Sequence, residues 1–100
     1  MANIIVSIGH RLTEDEALRR VRIRIGQIKL QYSNMVSDLT ENWDGYVGTF
    51  SGSARGMSVS GTVIVSPSSV TVSAGVPAVA FMFKGRIEAG IRDELTRMLA

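Results

Sequence analysis

His10 is the chain's one imidazole, and the chain has no cysteine. A general base needs a nucleophile and an orienting partner within hydrogen-bond reach, and a metal site usually needs three or four ligands. Around His10 the sequence offers Ser7, Glu14 and Asp15. That set is thin for either task, and a polar residue at a strand-to-helix junction is the expected role. Asp38, Glu41 and Asp44 fall along one strand and its turn, where positions i and i+3 face opposite sides. They are poorly placed to converge on a metal. Gly45, Gly48, Gly52, Gly56 and Gly61 follow neither a phosphate-loop nor a dinucleotide spacing, and the serines lack a nucleophile-elbow context. The expectation is no cofactor, no metal site and no enzymatic activity.

Two other groups carry interaction chemistry. Arg19, Arg20, Arg22, Arg24 and Lys29 lie in a stretch with no acid between Ala17 and Ser37. At helical spacing Arg20 and Arg24 share a line. The plain reading is a solvated face whose long stems cover apolar surface. The functional reading is a surface for an anionic partner built on Arg20, Arg24 and Lys29, and the lack of interleaved aromatics argues against nucleic acid. Trp43, Tyr46 and Phe50 cluster around Asp44-Gly45. They read as core beneath helices, or, with Phe83, as an apolar contact or pocket lined by the sheet: Trp43, Phe50, Phe83.

These residues must be positioned by one α+β domain spanning 1–100. A chain of 100 residues buries roughly 60–70% of the surface its unfolded form would expose. Asn3 to Ile8 reads as a strand rich in β-branched residues. Thr13-Glu14-Asp15-Glu16 is a capping box opening a helix to about Met35. Its apolar stripe is Ala17, Leu18, Val21, Ile25, Ile28 and Tyr32, with Ile23 and Leu30 off that stripe. Strands follow over Val36 to Trp43 and Tyr46 to Phe50, joined by an Asp44-Gly45 type I′ turn. Gly52 to Gly56 reads as a turn. Met57 to Val65 alternates, with Gly61 a candidate bend or bulge. Val70, Val72 and Ala74 mark a last strand. Pro77 precedes a helix over about Val79 to Leu99, striped by Ala80, Phe83, Ile87, Ile91, Leu95 and Met98.

The order is β-α-β-β-β-β-α, with both helices expected on one face of an antiparallel sheet. Ser, Thr and Ile64 would face out, and a partly apolar open face would favour a homodimer. Residues 1–10 lack a basic segment followed by a long apolar run, so no leader is expected. The longest apolar stretch, Val76 to Phe83, is too short for a membrane span. The net charge of +2 is too small to imply a polyanionic partner by itself.

Taken together, these residues resemble the polyhydroxyalkanoic acid system family, also described as granule-region proteins. The likeness rests on the first strand followed by His10-Arg11-Leu12 and the acidic cap, and on Ala17 with the Arg-rich helix. It continues through Trp43 and Phe50, Gly61 and Val63, and Lys84-Gly85-Arg86-Ile87-Glu88. The chain differs from the usual pattern in its softer Gly52 to Gly56 turn and Ser-richer strands. The resemblance implies a cytoplasmic bacterial protein connected with polyhydroxyalkanoate storage granules or their surface proteins, with no catalytic residue to carry over. The expected function is a non-enzymatic accessory or interaction protein. The alternative is a small domain binding a hydrophobic acyl chain between the sheet and the C-terminal helix.

Overall fold

The computed structural model describes residues 2–100. Its elements are β1 (Ala2–Gly9), α1 (Glu14–Gln31), β2 (Ser37–Asp44), β3 (Val47–Ala54), β4 (Met57–Val65), β5 (Ser69–Val76), a 3₁₀ helix (Ala78–Phe83) and α2 (Lys84–Leu99). The order matches the expected β-α-β-β-β-β-α. The strands form one antiparallel sheet, β1-β5-β4-β3-β2, so β1 closes one edge by returning beside β5.

Side-chain alternation explains how the sheet takes its helices. Val6 pairs with Val72, Ile8 with Val70, Val65 with Val70, and Val63 with both Val72 and Gly48. Paired residues share a face. That face joins α1 and α2 in one core of Ile4, Val6, Ala17, Val21, Val63, Val65, Val70, Leu95 and Leu99. Each large aliphatic side chain buried there stabilises the fold by about 1.5–3 kcal/mol. The opposite face is polar, with Ser7 bonded to Thr71 at 2.9 Å, but Ile5 and Ile64 also stand on it exposed.

The capping box forms half-way: the Thr13 hydroxyl accepts from the Glu16 amide at 3.1 Å, while the Glu16 carboxylate turns to Arg19 and Arg20 instead. A guanidinium offers a charged, forked donor, which outcompetes a single backbone amide.

Several local expectations shift. The hairpin between β2 and β3 turns on Gly45-Tyr46, since Asp44 pairs with Val47. Of these two only Gly45 has positive φ, +59°. One positive φ at the first central position is the type II′ pattern, which matches strand twist as well as type I′. The Asp44-Gly45 type I′ turn is therefore corrected by one residue. The type I′ pattern sits in the next hairpin, where Arg55 (φ 53°) and Gly56 (φ 78°) are both positive, so that turn is shorter than Gly52 to Gly56. Gly61 keeps continuous register with Phe50 and Ala74 and makes no bulge. The bulge lies in edge strand β2, between Ser37 and Thr40, where Asp38 takes φ 54°. An Asp tolerates this left-handed region better than most residues, and a bulged edge resists strand addition.

The C-terminal helix also starts later than expected. Pro77 leads into a 3₁₀ helix rather than an α-helix, with the Ala80 amide bonded to the Pro77 carbonyl at 2.9 Å. Tighter 3₁₀ winding breaks the 3.6-residue stripe, so Phe83 leaves it and stands 53% exposed. From Ile87 onward the predicted stripe holds, and Leu99 joins it.

Gly45 and Gly48 separate two kinds of glycine requirement. Around Gly45 space is open and only its positive φ resists a side chain, so Gly45→Val should cost about 1–2 kcal/mol. Gly48 has ordinary backbone angles, but a Cβ there would meet the Trp43 ring at 2.7 Å. Gly48→Ala should cost about 1–3 kcal/mol and shift Trp43 emission, because the ring must move. Urea unfolding followed by tryptophan fluorescence checks both; an unchanged emission maximum in Gly48→Ala would contradict the ring's placement.

Candidate functional site: an apolar cleft beneath the first helix

α1 meets the sheet unevenly. Ala17 and Val21, on its first turns, are fully buried, and Leu18 and Ile25 pack beside them. Beyond Ile25 the helix stands off the sheet. The strands below carry Gly48, Gly52 and Gly61 on the helix-facing side, as their pairing with Val63, Val59 and Phe50 shows. Trp43 folds over Gly48, and Val36 lies over Gly52. What remains open is a cleft of about 320 Å³. Ile25, Ile28 and Tyr32 form its roof, Phe50, Val59 and Val63 its floor, and Val36 and Leu39 its mouth. No Asp or Glu lines it, and the cation on its wall is Lys29.

The structure also places the cleft differently from the sequence expectation. It lies under α1, not under the C-terminal helix, because α2 fills its own groove over β1 with Ile87, Ile91, Leu95 and Leu99. Of the candidate pocket residues, Phe50 lines the cleft while Trp43 and Phe83 do not. Trp43 instead buttresses it. Its ring meets Phe50 edge-on at 5.9 Å and 86°, and the Arg22 guanidinium lies 5.4 Å from its ring centre. Phe83 belongs to the exposed 3₁₀ segment, away from this site. The residues that sequence reasoning missed are Ile28 and Tyr32 as roof, and Val36, Leu39 and Val59. The readable signal was the set of glycines alternating with apolar residues on one face of β3 and β4.

The basic helix is tied down within the chain. Arg24 makes a bidentate pair with Glu94 of α2, at 2.8 and 3.0 Å. Arg20 pairs with Glu16 at 2.8 Å and donates to the Met98 carbonyl at 3.2 Å, supplying a donor to the last turn of α2. Lys29 reaches Glu41 on β2 at 2.6 Å, and Glu41 also accepts from the Trp43 indole at 2.7 Å. Arg20, Arg24 and Lys29 thus act as ties between elements, and none stands as a free cation for an outside anion. Their acids come from Glu16, Glu41 and Glu94, all outside the acid-free stretch 17–37. Tyr46, in the β2–β3 turn, donates to Asp15 at 2.5 Å, which pushes its phenol above the usual range and joins that turn to the start of α1.

His10 serves as a clip. Nε2 donates to the Ser66 carbonyl at 2.9 Å, and Nδ1 accepts from the Leu12 amide at 3.1 Å. Both ring nitrogens are engaged, so the imidazole joins the β1–α1 connection to the β4–β5 turn. Among the described residues no cluster of three or more His, Cys, Asp or Glu could hold a metal. No helix among them is long and apolar enough to cross a membrane.

These features define a small α+β protein whose one-sided helical layer leaves an apolar cleft over its sheet. The chain belongs to the family described as putative polyhydroxyalkanoic acid system protein, whose sequence model matches residues 4–99. No curated protein sequence matches the chain. Among solved structures it is similar to the crystal structure of TTHA0849 from Thermus thermophilus, at 12% identity and a TM-score of 0.44, covering 98% of this chain and 94% of that one.

The ion pairs carry a pH dependence with a definite sign. Hydrogen bonds from Arg19 and Arg20 hold Glu16 down to about 2 from the ordinary 4.5. Lys29 lowers Glu41, with help from Trp43, and Arg24 lowers Glu94. A folded-state pKa below the unfolded one gives stability above the unfolded value, lost as pH falls through the folded one. The urea midpoint should therefore fall as pH drops from 4.5 toward 2. Glu94→Gln should lower the midpoint at neutral pH and flatten its acid limb; an unchanged acid limb would deny Glu94 this role.

Proposed function

We propose that this protein is a non-enzymatic accessory of a polyhydroxyalkanoate system that holds an apolar acyl chain in the cleft between α1 and the sheet. The cleft itself carries the reading. Its volume of about 320 Å³ falls at the low end of small-molecule sites, roughly 300–1,000 Å³. Its lining is apolar on both walls, which suits a flexible hydrocarbon and gives little to a sugar or nucleotide. The engagement of both His10 nitrogens supports a role without chemistry of its own. The family membership supports a setting in which hydroxyacyl polymers are handled.

Octanol is a neutral probe of this reading. It should bind with a 1:1 stoichiometry by calorimetry and with a negative heat-capacity change, the mark of apolar burial. Gly61→Leu should abolish binding while leaving stability intact. Gly61 lines the cleft, its backbone accepts a side chain, and an added Cβ would sit at an ordinary 3.5 Å from the Ser73 carbonyl. Wild-type-like octanol binding by a folded Gly61→Leu protein would remove the cleft as the site.

A second reading has its own observation. The 3₁₀ segment exposes Val79 at 59%, Met82 at 80% and Phe83 at 53%, with Lys84 and Arg86 directly after it. Contiguous exposed apolar side chains mark an interaction surface. This supports association with a storage granule, directly or through its surface proteins, and Ile5 with Ile64 on the open sheet face supports a homodimer. Co-sedimentation with native granules should fall several-fold in Met82→Asp; unchanged co-sedimentation would exclude this segment as the contact.

A further inference from the structure

We infer that the acyl site is built for an anionic amphiphile, a linear alkyl chain ending in a carboxylate, with Arg55 holding the head group. The inference rests on the cleft reading above and adds a head-group position to it. The apolar cleft does not end at its mouth. Tyr32, Ser33 and Val36 line both it and a second, wider depression of about 740 Å³. The far wall of that depression is the β3–β4 turn, with Arg55, Gly56 and Met57. A chain lying beneath Ile28 and emerging past Val36 would bring its end to this turn.

The charges at that end favour an anion. Neither lining contains an Asp or Glu. Lys29 is neutralised by Glu41 at 2.6 Å, whereas Arg55 has no ion-pair partner among the described residues. The C-terminus of α1 also points here, and its carbonyls would repel an anion if they were free. Three of the carbonyls at this end are engaged: Ile28 accepts from the Tyr32 amide, Leu30 from the Ser33 hydroxyl, and Tyr32 from the Met35 and Val36 amides.

The backbone gives a separate argument. Arg55 occupies the first central position of the type I′ turn, at φ 53°. This position favours Asn, Asp or Gly, and another residue there costs stability. The neighbouring hairpin meets the same demand for positive φ with glycine, at Gly45. An arginine at this spot is a poor choice for the turn and a good one for a carboxylate, which it can bind through a fork of N–H donors.

Calorimetry with octanoate and octanol at neutral pH tests the assignment. Wild type should bind octanoate about tenfold more tightly than octanol, the scale of one charge-assisted contact at a wet site. Arg55→Asn supplies the preferred Asn-Gly turn, so the variant should fold at least as stably. It should bind octanol unchanged and lose the octanoate preference, while Arg55→Lys should keep part of it. Equal affinity for the two probes in wild type, or a preference that survives in Arg55→Asn, overturns the head-group assignment and leaves the cleft standing. Failure of wild type to bind either probe overturns both.

Discussion

A helix lies flat on a sheet only where side chains from both layers fill the roughly 10 Å between them, and in this protein that filling stops half-way along α1. The first turns of α1 present Ala17 and Val21 to Val63 and Val65, and the layers close. Further along, the sheet presents Gly48, Gly52 and Gly61. Glycine brings no side chain into the gap. Trp43 fills part of it by folding over Gly48, and Phe50 stands edge-on beside Trp43. The aromatic pair is tall and rigid, so it props the helix at a height the glycines cannot fill. The cleft follows from that mismatch.

Propping alone would leave the second half of α1 free to swing. The polar contacts restrain it from several sides. Glu94 on α2 grips Arg24, Glu41 on β2 grips Lys29, and Asp15 at the other end receives Tyr46 from the β2–β3 turn. Single surface pairs contribute little to global stability, about 0–1 kcal/mol each. Their importance here is geometric. Glu41 joins Lys29 and the Trp43 indole in one carboxylate, so the residue that props the helix and the residue that ties it are held by the same group.

Much of the fold could be read from the sequence because its signals were local. The capping residue Thr13, the alternation of Met57 to Val65, and the stripe from Ile87 to Leu95 each declare an element within a few residues. The errors arose where two local rules competed or where the answer was tertiary. Asp44-Gly45 satisfies a type I′ turn and Gly45-Tyr46 a type II′ turn, and strand register selected the second. Apolar residues from Val79 to Phe83 fit an α-helical stripe, but a 3₁₀ winding after Pro77 turned Phe83 outward. The arginine helix looked unpaired because its acids are remote: Glu94 is 70 residues from Arg24. For the site, Phe50 was legible as an aromatic on the inner face. The cleft's position under α1 was not, because the glycines of β3 and β4 mark it only once those two strands are paired and α1 is set above them.

That dependence has a thermodynamic consequence. Apolar walls left open to water are unfavourable relative to closed ones, by about 25 cal/mol per Å² of surface that closure would remove. The helix could recover this energy by settling onto the glycines, and the aromatic prop with its ion pairs prevents it. The open state is thus held by contacts around the rim rather than by contacts within the cleft. An occupant that fills the gap restores the missing packing without disturbing the rim, so its binding adds to folding stability instead of competing with it. At a concentration one hundred times its dissociation constant, such a ligand adds about 2.7 kcal/mol. For a domain with the usual 5–15 kcal/mol this is a large share. With the proposed acyl chain in place such a protein would be more stable than without it, because the occupant would supply the packing that the glycines of β3 and β4 leave out.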